Sequence, residues 1–88
     1  MNTFCKAISD SGLSFSDIGK MTTMISKAVV SAHKHNVMID DVITEDNIIS
    51  VAKNIKKGSN VKSEMIKIIN KSEIEDKIKV KIIADMSA

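Results

Sequence analysis

Apolar residues at Ile18, Met21, Ile25, Ala28, Val29 and Ala32 recur at intervals of three and four, the spacing that lines one face of an α-helix. Ser14 stands where an N-cap is needed, and Asp17 falls in the first turn, where negative charge is favourable. His33, Lys34 and His35 suit the electronegative far end, and Asn36 is a natural stop. A shorter helical face, Phe4, Ala7 and Ile8, precedes this helix and closes in a Ser9-Asp10-Ser11-Gly12 turn. A further helix over 44–57 is punctuated at both ends. Thr44 caps it and Glu45 and Asp46 fill its first turn, while Ile48, Ile49, Ala52 and Ile55 face inward. Lys53, Lys56 and Lys57 complement its last turn, and Gly58 supplies a left-handed exit.

Beyond Gly58, Ser59 or Asn60 can cap a helix carrying Val61, Met65, Ile68 and Ile69. Ser72 and Glu75 have the spacing of a capping box, and Glu73–Lys77 and Glu75–Lys79 stand four apart as helical ion pairs. A break near Asn70 and Lys71 and a final helix with Ile74, Ile78 and Ile82 inward are therefore expected. Against that helix, Ile78-Lys79-Val80-Lys81-Ile82 alternates β-branched and polar residues in the manner of a strand. Only 37–43, with Val37, Ile39, Val42 and Ile43, offers it a partner. The cap and the ion pairs favour the helix. The expected architecture is mainly α, a bundle of four to five short helices in one domain over 1–88. A minor two-stranded element, 37–43 with 78–83, is the competing reading of those two segments.

Composition narrows how such a bundle can recognise anything. All thirteen basic side chains among the 88 residues are lysines, and Trp, Tyr and Pro are absent. Trp, Tyr and Arg dominate most interface energies, so recognition here rests on Ile, Met and Val packing, on lysine point charges, and on Phe4 and Phe15. A chain this short builds a small core, which self-association would reinforce, so a homo-oligomer is expected. The lone cysteine, Cys5, cannot form an internal disulfide and reads as a small buried apolar residue. With no signal-like apolar stretch and no run long enough to span a membrane, the expected location is cytoplasmic. Abundant Lys, Ile and Asn match AT-rich coding, as in phages and mobile elements.

The net charge of +2 hides a gradient. Residues 1–52 carry four lysines against six acids, and residues 53–88 carry nine lysines against five acids. A basic half can attract acidic partners, anionic lipid or nucleic acid. Glu64, Glu73, Glu75 and Asp76 are interspersed among those lysines, however, which is the pattern of solvated helix faces.

No residue constellation names a reaction. His33 and His35, two apart on a helix, point away from each other and cannot share a metal by themselves. Asp40-Asp41 lacks the ligand spacing and central glycine of a calcium loop. None of the eleven serines sits in a G-x-S-x-G elbow, and the three glycines form no phosphate loop. Neither enzymatic activity nor a cofactor is expected.

Two binding functions remain. The first is a small regulatory or adaptor protein that docks on a protein partner. Methionines are over-used on surfaces that accommodate partner helices, and Met24 falls at the edge of the 18–32 stripe, near Phe15. Phe4, Phe15 and Met24 are thus the candidate contact patch. The second is DNA binding. Ile18, Gly19, Met21 and Val29 occupy positions that a helix-turn-helix fills with apolar and small residues, with Thr23 at the turn and Lys20, Lys27 and Lys34 near phosphates. The would-be recognition helix has no Arg, Gln or Asn to read base edges, and one uninterrupted helix explains the same residues. Protein docking is the leading expectation.

Overall fold

Ser14, Thr44 and Asn60 each accept a hydrogen bond from the backbone N–H three residues on, at 3.2, 3.2 and 3.1 Å, and each starts a helix. The computed structural model describes residues 2–88, the side chains of Asn2, Thr3 and Cys5 excepted, so the expectation of a buried Cys5 lies outside the described residues. Along the chain run α1 (Asn2–Ser9), α2 (Phe15–Lys34), α3 (Glu45–Lys56), α4 (Val61–Lys71) and α5 (Asp76–Ser87), with one 3₁₀ turn at Ile39–Asp41. The protein is a mainly α bundle.

The helix exits are as local as the starts. Asn36 adopts a left-handed φ of 59°, and Val37 and Asn36 donate to the carbonyls of Ala32 and His33. Gly58, at φ 105°, ends α3 in the same way, with Ser59 donating to Asn54 and Gly58 to Ile55. Both are Schellman closures, in which a left-handed residue turns two backbone donors onto orphan carbonyls of the last turn. At Thr44 the cap is reciprocal, because the Asn47 side chain accepts from the Thr44 backbone N–H at 3.0 Å.

One contiguous core draws on every helix, with Ile8, Met21, Ile25, Ile48, Met65, Ile69 and Ile82 among its fully buried side chains. The long α2 is the central element and packs against α1, α4 and α5, while α3 bridges α1 and α4. The radius of gyration of 12.0 Å equals the value of about 12 Å expected for a packed chain of this length.

Four expectations are corrected. The two-stranded element does not form: 37–43 coils into the 3₁₀ turn with Val42 and Ile43 buried, and 78–83 lies inside α5. Helical spacing wins there because Ile78, Ile82 and Met86 share the inward face, whereas Val80 is left 67% exposed. The last helix also starts later than its capping-box pattern implied. The Ser72 hydroxyl donates to the Ile69 carbonyl at 2.6 Å, terminating α4 instead of capping α5, and Glu73–Glu75 stay outside the helix. Lys79 consequently pairs with Asp76 at 3.5 Å and donates to the Asn70 carbonyl, not to Glu75. On α3, Val51 takes the inward position expected of Ile49, which is 41% exposed. Glu64, expected on a solvated face, is buried.

Candidate functional site

Phe15 is the first residue of α2 and is 94% exposed. The reason lies in how the helix is anchored. Leu13 and Ile18 flank the Ser14 cap at the positions of a hydrophobic staple, and both pack against the core. With the entry fixed by those two residues, Phe15 projects away from the bundle. Met24 lies about two and a half turns further on, half-buried, with its side chain against the core.

Between them α2 forms one wall of a groove of about 470 Å³, closed on the other side by Lys62 at the start of α4 and by Met86 near the end of α5. Phe15, Lys20, Met24 and Lys27 line the α2 side, and Gly19 opens its wall. A methyl group built on Gly19 would meet nothing within 4 Å. A second hollow shares Lys20, Met24 and Lys62 and continues toward Asp17 and Asn60. Lys27 donates from Nζ to the Ala88 backbone oxygen at 2.6 Å, which ties the end of α5 to the groove's edge.

Of the expected contact residues Phe15 and Met24 are among those lining this groove, and Phe4 is not. Phe4 is 7% exposed and belongs to the core cluster, because α1 buries its Phe4–Ile8 face against α2 and α3. Of the lysines proposed for phosphate contact, Lys20 and Lys27 rim this groove. Lys34 lies in a separate hollow beside Val30 and Asp85. The helix-turn-helix reading of 18–29 is not realised as a motif, since α2 runs without interruption through Thr23. Sequence reasoning missed Lys62 and Met86, which reach the groove only through tertiary packing. Gly19 did give a signal, a lone glycine inside a helical pattern.

Two polar groups are buried by the packing. The Ser31 hydroxyl donates to Asp85 Oδ2 at 2.7 Å, between α2 and α5. The Glu64 carboxylate is 5% exposed and accepts from Asn54 Nδ2 at 2.7 Å and from Lys67 Nζ at 3.1 Å. The Asn54 hydrogen bond and then the Lys67 ammonium hold its carboxyl below the ordinary glutamate range, against the opposing effect of burial. Both clusters join helices, and Ser31 and Asp85 also line the hollow beside Val30 and Lys34. Among the described residues no three His, Cys, Asp or Glu side chains cluster in a way that could hold a metal ion, and no helix is long and apolar enough to cross a membrane.

Comparison with protein-family models gives no match, and no significant match is found among curated proteins or solved structures.

Proposed function

We propose that this protein has no chemistry of its own and acts as an interaction module, docking a protein partner on the Phe15–Met24 groove. The observation that carries the reading is the almost complete exposure of Phe15 beside a hollow with adaptable thioether walls. Burying a phenylalanine side chain is worth about 1.5–3 kcal/mol, and that contribution is unused in the isolated chain. The lone Cys5 favours a cytoplasmic setting, the small core favours a homo-oligomer, and the AT-rich composition favours a phage or mobile element.

The competing reading is phosphate contact by Lys20, Lys27 and Lys34. It keeps one supporting observation: the three lysines repeat every seven residues, so they follow one side of α2 over roughly 21 Å. The continuity of α2 leaves it without a recognition helix, and Lys27 is already bonded to Ala88. A side-by-side capture from source-cell extract tests the two, using tagged wild-type and Phe15→Ala chains with and without nuclease. Docking predicts a stoichiometric protein that survives nuclease and is absent from the Phe15→Ala lane. Recovery that disappears with nuclease and ignores Phe15 supports phosphate contact instead.

A further inference from the structure

We infer that the occupant of the groove is an acidic, amphipathic peptide segment of a protein partner, an inference that rests on the docking reading above. Lys20, Lys27 and Lys62 stand around the groove, and no acidic side chain lines it. Lys27 is held by the Ala88 oxygen, but among the described residues Lys20 and Lys62 pair with no carboxylate side chain, whereas Lys67 and Lys79 do. The field at the groove is therefore positive although the whole chain is nearly neutral, at +2. Asp17 enters only in the adjoining hollow.

Gly19 adds a second argument. Its φ is not left-handed and no neighbour excludes a side chain, so neither the backbone nor internal packing requires glycine. Within a helix it nevertheless sacrifices roughly 1 kcal/mol relative to alanine. What the position gains is an open wall on which another chain can approach α2 closely, between Phe15 and Met24. The apolar side chains of an amphipathic segment fill that space, and its carboxylates meet Lys20 and Lys62. Ammonium point charges accept carboxylates over a wide range of geometries, without the planar fork that fixed phosphate recognition favours.

The test is selection of random peptides displayed on phage against the full-length protein, followed by titration of the enriched peptides. The inference expects sequences rich in Asp and Glu with interspersed apolar residues. The Lys20→Glu/Lys62→Glu variant should bind them about tenfold or more weakly, and wild-type affinity should fall between about 0.05 M and about 0.5 M salt. Both lysines are exposed, and circular dichroism verifies that the variant keeps its helices. Neutral or basic enriched peptides, binding indifferent to the charge reversal, or no enrichment at all would overturn the inference. So would single-stranded oligonucleotides or phosphatidylserine vesicles binding through the same lysines where acidic peptides do not. Phe15→Ala separates the two levels. Peptide binding lost in Phe15→Ala but kept in the charge-reversed protein leaves docking standing and removes the acidic partner. Binding kept in Phe15→Ala removes the docking site itself.

Discussion

Ser31, on the inward side of α2, donates its hydroxyl to the Asp85 carboxylate of α5 at 2.7 Å, joining positions 54 apart in sequence. Ala28 and Ala32 flank Ser31 on the same buried face of α2. Replacing Ser31 with Ala removes the donor and leaves a half-buried carboxylate without it. The expected loss is about 1–2 kcal/mol. That corresponds to a drop of several degrees in the melting temperature, at about 4–8 °C per kcal/mol for a domain of this size. Thermal unfolding followed at the helical circular-dichroism band measures it, and an unchanged midpoint would deny the bond any role in seating α5.

Glu64 predicts a pH dependence of defined sign. Its carboxyl titrates lower in the folded protein than in the unfolded chain, so the unfolded state binds the extra proton. The stabilisation is fully present above the unfolded value, in the region of about pH 4–5, and is lost as the pH falls through the folded value. Glu64→Gln keeps the shape and cannot titrate. Urea unfolding should find wild type more stable than this variant at neutral pH, with the gap shrinking on acidification. A gap independent of pH would mean that the Asn54 and Lys67 contacts do not favour the charged carboxylate.

Two glycine substitutions should move stability in opposite directions. Gly58 sits at φ 105° with open space around it, so alanine there meets no clash but must adopt a left-handed backbone, at about 1–2 kcal/mol. Gly19 is helical and equally open, so Gly19→Ala should stabilise the protein by about 0.5–1 kcal/mol. The docking account adds that Gly19→Ala, although more stable, binds its partner more weakly because the methyl group narrows the groove. Denaturant midpoints and a binding titration on the same two variants report both effects.

Local devices were legible in the sequence because each depends on neighbours within a few positions. The Ser14 and Thr44 caps, the Asn36 and Gly58 exits and the Ile25 face of α2 are of this kind. Where a residue had two local options the pattern alone could not arbitrate: the Ser72 hydroxyl closes α4 when its spacing to Glu75 advertised a cap for the next helix. Long-range pairings were invisible. Nothing near Glu64 in the chain announces Asn54 as its partner, and nothing near Phe15 announces Lys62 and Met86 across the groove. Phe4 and Phe15 looked alike as scarce aromatics. The short α1 pins one into the core, and the Leu13–Ile18 anchor turns the other outward.

The most direct test of the central claim is a titration of the captured partner into wild-type and Phe15→Ala protein, with the melting temperature of each recorded alongside. A side chain so exposed contributes little to folding, so the two proteins should melt within about 0.5 kcal/mol of each other in stability. The docking account predicts that Phe15→Ala loses about 1.5–3 kcal/mol of binding, a factor of about ten to a hundred or more in Kd. Equal affinity at equal stability would contradict the account and show that the partner binds elsewhere.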